Sequence, residues 1–120
     1  LGCILTAWWA SSAPPAVVGK VQAALLVAPG DVEQADLRQH LPGWVPIARQ
    51  RLPFAAVVVG SQNDPYCRLA RAQQLAADWG AQWVDAGAAG HINSASQLGD
   101  WPQGHALLQD LVKDSVHGKR

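Results

Sequence analysis

Residues 53–65 read PFAAVVVGSQNDP. The first eight contain three consecutive valines, no charge and a closing glycine, Gly60. A short apolar run rich in β-branched residues predicts a strand buried on both faces, as strands of parallel sheets are. Residues 61–65 then concentrate turn formers, and Pro65 suits the first turn of a helix. The spacing of Leu69, Ala72, Leu75, Ala76 and Trp79 predicts an amphipathic helix over residues 65–79. Gly80 is its expected stop.

The same alternation extends in both directions. Residues 81–85 (AQWVD) form a third short strand. Residues 21–28 (VQAALLVA) form a first one, charge-free and closed by Pro29 and Gly30. Periodicity alone does not separate that run from a helix; its length and flanks do. Residues 1–12 (LGCILTAWWASS) are apolar nearly all round, as a buried helix would be. Residues 11–19 are a loop broken at Pro14 and Pro15, and residues 31–49, with Pro42, Gly43 and Pro46, read as short helical turns and loop. Residues 86–102 are loop, with Gly87, Gly90 and Gly99. A last amphipathic helix covers residues 104–116 with Ala106, Leu107, Leu111 and Val112 inward. Residues 117–120 are a basic, fraying tail. Strands alternating with helices predict an α/β domain over residues 1–116, a mainly parallel sheet flanked by helices.

Composition narrows the function. With 49% hydrophobic and 15% charged residues over 120 positions, the chain has one core and is not intrinsically disordered. Nine basic residues cancel nine acidic ones, so the basic excess of a nucleic-acid binder is missing. No apolar run reaches the ~18–20 residues of a membrane span, and residues 1–12 lack the basic start of a signal peptide. Two cysteines, Cys3 and Cys67, are too few for a disulfide scaffold and suit a reducing, cytoplasmic setting. They form no C-x-x-C pair and no zinc spacing with histidine. No phosphate-binding glycine loop occurs. The sequence opens on Leu1 and contains no methionine, which points to a piece of a longer product.

In parallel sheets, ligands bind at the carboxyl ends of the strands. Asp31, Asp64 and His91 follow the first, second and third strands. An acid and then a histidine on successive strand-end loops are the last two members of the α/β-hydrolase order Ser, Asp or Glu, His. In that triad the histidine is the general base and the acid orients it. Each residue also has a plainer reading. Asp64 before Pro65 fits a helix cap, and His91 fits a surface histidine like His40, His105 and His117. Ser61 and Ser94 are the candidate nucleophiles within the chain, but neither sits in a G-x-S-x-G context. Cys67, in the first turn of the expected helix, is either an activated thiol or buried packing.

Linked motifs sharpen this. Ser61-Gln62-Asn63-Asp64-Pro65-Tyr66-Cys67, Arg71-Ala72, Trp79-Gly80, Gly90-His91-Ile92-Asn93 and Gly99-Asp100-Trp101-Pro102-Gln103-Gly104 together resemble the YdeN-like serine hydrolases. These are small α/β-hydrolases related to retinoblastoma-binding protein 9. The resemblance implies that Asp64 is the triad acid and His91 the base. It aligns Leu1-Gly2-Cys3 with the end of the family's His-Ser-Leu-Gly elbow, so residues 1–116 would be the C-terminal part of an α/β-hydrolase domain, without its earlier strands, and the nucleophilic serine would immediately precede Leu1. The Leu1 backbone N–H is then an oxyanion-hole donor, and Gly2 allows tight packing at the elbow. Trp101, ten residues beyond His91, is a candidate pocket wall. Gln97 departs from the pattern, standing where the family is expected to carry glycine.

The implied activity is hydrolysis of an ester, thioester or amide of a small acyl substrate, with no metal or organic cofactor and no nucleic-acid or membrane partner. The 120 residues alone, lacking the serine, are expected to be inactive. The alternative is a non-catalytic α/β interaction module, in keeping with a relative named for a protein partner. A bare nucleotide-binding unit is disfavoured by the missing phosphate loop.

Overall fold

The valine run is the middle strand of three in the computed structural model, which describes residues 1–116 apart from the side chains of Ser94, Ser115 and Val116. Strands β1 (Ala23–Val27), β2 (Ala55–Gly60) and β3 (Gln82–Asp85) lie parallel in the order β1-β2-β3. Leu26 pairs with Val58, and Val58 with Trp83. Every residue of β2 is buried. Its side chains alternate between the two faces, which divides the core in two.

One face carries Ala56 and Val58 and is covered by helices α1 (Gly2–Ser12) and α4 (Leu69–Asp78) through Ile4, Ala7, Leu75, Ala76 and Trp79. The fully buried Trp79 donates its indole N–H to the Ala48 carbonyl at 2.7 Å, so its one polar atom is satisfied. The other face carries Ala55, Val57 and Val59 and packs on Leu111 and Leu107 of α5 (Pro102–Val116). Short helices α2 (Pro15–Val18) and α3 (Ala35–His40) and the 3₁₀ turns Pro42–Trp44 and Ser94–Ser96 fill the connections. No helix among the described residues is long and apolar enough to cross a membrane.

Several boundaries differ from the sequence reading. Helix α4 starts at Leu69 rather than Pro65. Asp64 Oδ1 accepts the Tyr66 N–H at 2.8 Å, an Asx turn that competes with the first helical turn. Helix α5 starts two residues earlier than expected, with Pro102 at its first position, where the missing N–H costs nothing. Its inward face is Gly104, Leu107 and Leu111, while Ala106 and Val112 are exposed. Gly104 is needed there, because a Cβ would come within 2.1 Å of the Trp101 ring. Helix α1 buries one face only, and Leu5 and Trp9 are exposed. The basic tail, residues 117–120, lies outside the described residues.

Candidate active site

The carboxyl ends of β2 and β3 deliver the acid and the histidine. Beyond Gly60, the turn from Ser61 to Tyr66 holds Asp64; beyond Asp85, the loop from Ala86 carries His91. His91 Nδ1 lies 2.8 Å from Asp64 Oδ2. The Asp64 side chain is 2% exposed and that of His91 25%. A buried carboxylate on Nδ1 fixes the imidazole's orientation and leaves Nε2 as the ring atom able to exchange a proton. The other carboxylate oxygen takes the Tyr66 amide, so Asp64 is held from both ends. Asp64 caps no helix; Arg68 occupies the α4 N-cap position without a side-chain bond.

The histidine loop is pinned by side chains of the preceding turn. Asn63 Oδ1 accepts the Gly90 N–H at 2.8 Å. Ser61 Oγ accepts the Ala89 N–H at 2.9 Å and lies within donating distance of Asn63 Oδ1 and the Gly87 carbonyl. Ser96 Oγ donates to the Ala89 carbonyl at 2.6 Å. Ser61 is thus a buried structural hydroxyl. Sequence reasoning treated Ser61 as a weak nucleophile candidate and gave Asn63 no role. The signal was available: the NDPYC and GHIN motifs that frame the resemblance are the two halves of this network. The side chain of Ser94 lies outside the described residues.

The polar group after β1 has another task. Asp31 Oδ1 accepts the Glu33 N–H, and its Oδ2 lies 3.3 Å from Arg71 Nε, which is buried and makes no hydrogen bond. Glu33 pairs with both Arg49 and Arg71 and accepts the Ile47 N–H. Burial pushes the Glu33 carboxyl up, but the Ile47 amide and the two guanidinium groups outweigh it and leave its pKa below the ordinary value. Asp31 therefore braces the strand-end loop and stands outside the Asp64–His91 pair.

Cys67 precedes α4 and is buried. Burial, reinforced by Asp31 and Asp64, pushes its thiol up to about 12, and burial raises Cys3 to about 11. Neither is an activated thiolate. The described residues contain no cluster of three or more metal-ligating side chains.

A cavity of about 330 Å³ opens beside the pair, lined by Leu1, Gly30, Val32, Leu37, Leu41, Tyr66, His91 and Asn93. Leu1 is the N-cap residue of α1, so the start of that helix and the histidine face one space. Trp101 is not among its walls. Its ring packs on Gly104 and borders hollows on the α5 side with Ile92, Leu98 and Leu107. A Cβ at Gly2 would meet no atom within 4 Å, so the tight packing expected there is not seen among the described residues.

The model of the serine hydrolase family matches residues 1–110. The chain belongs to that family. Among solved structures, this serine hydrolase chain is similar to a protein of Pectobacterium atrosepticum described as a YdeN-like hydrolase. The TM-score is 0.77 at 24% identity, over 95% of this chain and 56% of the other. That likeness establishes the shared α/β-hydrolase fold, and the chain spans little more than half the length of the solved relative. Nothing among curated proteins matches the serine hydrolase chain.

Among the described residues, four that are not glycine have left-handed backbone: Ala28, Ile92, Gln97 and Trp101. Ala28 ends β1, and Ile92 directly follows the histidine. Such conformations cost on the order of 1–3 kcal/mol each and gather at functional sites. Gln97, at φ 56°, occupies a conformation glycine adopts freely, the residue type expected at that position.

Proposed function

We propose that the whole protein carrying this chain hydrolyses an ester, thioester or amide of a small molecule. The reaction uses a Ser-Asp-His triad in which Asp64 is the acid, His91 the base, and the nucleophilic serine immediately precedes Leu1. The observation that carries the reading is the 2.8 Å bond from His91 Nδ1 to a buried Asp64 carboxylate, beside a cavity that Leu1 also lines.

The steps follow from those positions. The serine hydroxyl attacks the carbonyl carbon while His91 Nε2 takes its proton. The Leu1 N–H, at the positive end of α1, donates to the oxyanion. His91 returns the proton to the departing alcohol, thiol or amine. Water, deprotonated by His91, then releases the acid. Asp64 orients the ring and stabilises the imidazolium throughout. The two buried thiols, Cys3 and Cys67, fit a cytoplasmic setting.

The test is fluorophosphonate labelling and p-nitrophenyl acetate hydrolysis by the whole protein. Labelling is expected at the residue before Leu1. His91→Ala should abolish turnover, and Asp64→Asn should lower it about 10³–10⁴-fold by supplying the wrong tautomer. Residues 1–120 alone should neither label nor turn over. Unchanged hydrolysis in His91→Ala would remove the triad.

A further inference from the structure

We propose that the cavity beside His91 is the binding site for a short, uncharged apolar arm of the substrate, with Leu37 and Leu41 as its specificity-determining wall. This rests on the hydrolase reading and adds the substrate class to it. The wall is apolar by construction. Behind it, Val32 is fully buried. Leu37 in α3 and Leu41 at its C-cap stand four residues apart, on one side of the helix.

Charge is kept out of the space. Val32 is flanked by two carboxylates, yet Asp31 is turned onto Arg71, and Glu33 onto Arg49 and Arg71. None of these four lines the cavity, whose polar side chains are those of His91, Asn93 and Tyr66. A carboxylate or phosphate in the arm would meet no lysine or arginine there and would lose its hydration. The volume, about 330 Å³, lies at the small end of the roughly 300–1,000 Å³ typical of ligand pockets. The part of the space that these residues border suits a short aliphatic chain or a single ring.

The experiment uses the whole protein with two ester series, one lengthening the acyl chain from acetyl to decanoyl and one lengthening the alcohol of acetate esters. A succinyl half-ester is the charged control. Hexanamide binding by calorimetry reads the cavity without turnover. Each measurement is repeated on Leu41→Trp and Leu37→Trp, which fill the cavity from half-buried positions, and on His91→Ala.

Expected is a rate optimum at a short chain in one series, with the succinyl ester at least tenfold slower than its uncharged counterpart. Each tryptophan variant should shift the optimum to a shorter chain and weaken hexanamide binding at least tenfold. If hexanamide binds and the tryptophans displace it, but no ester is turned over, the apolar site stands and the hydrolase reading falls. If esters are cleaved through His91 with no effect of chain length, charge or either tryptophan, the hydrolase reading stands and this one falls. If neither binding nor turnover occurs, both fall.

Discussion

The Tyr66 ring stands edge-on to the His91 imidazole, centroids 4.8 Å apart, while the Tyr66 amide donates to Asp64 Oδ1 at 2.8 Å. One residue therefore holds both members of the pair, the acid through its backbone and the base through its ring. The ring contact is open to mutation. An edge-to-face pair contributes about 0.5–1.5 kcal/mol, so Tyr66→Ala should lower kcat/KM of the whole protein roughly 3–10-fold. Tyr66→Phe should retain most of the activity, because phenylalanine keeps the ring that makes the contact. An unchanged rate of fluorophosphonate labelling in Tyr66→Ala would show that His91 is oriented without it.

Asn63 gives a second, separable effect. Its Oδ1 accepts from Gly90 and lies within reach of the Ser61 hydroxyl. Truncation leaves the Gly90 amide without that partner one residue before the histidine. Asn63→Ala should cost about 0.5–1.5 kcal/mol, the usual net contribution of a hydrogen bond, and should also lower kcat. Thermal unfolding and kinetics measured on one preparation check both. Asn63→Asp keeps the acceptor oxygen and should restore part of each.

The parts of the molecule legible in the sequence were those with a local signature. Residues 53–60 carry their burial in composition alone, and β2 proved buried throughout. That Asp64 and His91 would stand side by side was legible because order along the chain and position after a strand are linear properties. The start of α4 was not, because Pro65 is compatible with a helix and the Asx turn at Asp64 decides against it. Neither was the role of Asp31, whose partner Arg71 is forty residues away. Trp101 is a different case. Distance along the chain from His91 placed it at the site, but its left-handed backbone and the bare surface of Gly104 draw the ring towards α5.

Gln97 offers a stabilising change. At φ 56° an L side chain is strained, whereas glycine is not. Gln97→Gly should stabilise the protein by about 0.5–1 kcal/mol, the relief of strain being partly offset by the entropy glycine loses on folding. Urea unfolding should show a higher midpoint at unchanged slope. A lower midpoint would mean that the Gln97 side chain contributes more than its backbone costs.

Cys67 should be chemically silent. Its thiol is raised to about 12 by burial and by the neighbouring Asp31 and Asp64, so almost no thiolate exists at pH 8. Native protein mixed with a disulfide reagent should leave Cys67 unlabelled for as long as it stays folded, and denaturant should expose it at once. Rapid labelling of native protein would place the thiol at the surface.

Acid stability should depend on Glu33. Burial disfavours the carboxylate, but the Ile47 amide and Arg49 and Arg71 favour it more, so its folded pKa lies below the ordinary 4.5. As the pH falls through 4.5, an unfolded chain takes up this proton before the folded one does. Over that interval the unfolded state holds more protons, so stability declines as the pH declines. The contribution is complete above 4.5 and is lost as the pH passes below the folded value. Glu33→Gln should flatten this part of the pH profile. At pH 7 it should destabilise by about 1–2 kcal/mol, since two guanidinium groups lose a charged acceptor. Because Glu33 and Asp31 hold the loop that carries Val32, the same variant should also loosen the wall of the cavity. Urea midpoints from pH 3.5 to 7 check the first effect, and hexanamide affinity at pH 7 checks the second. A profile parallel to that of the unsubstituted protein would place the acid sensitivity elsewhere.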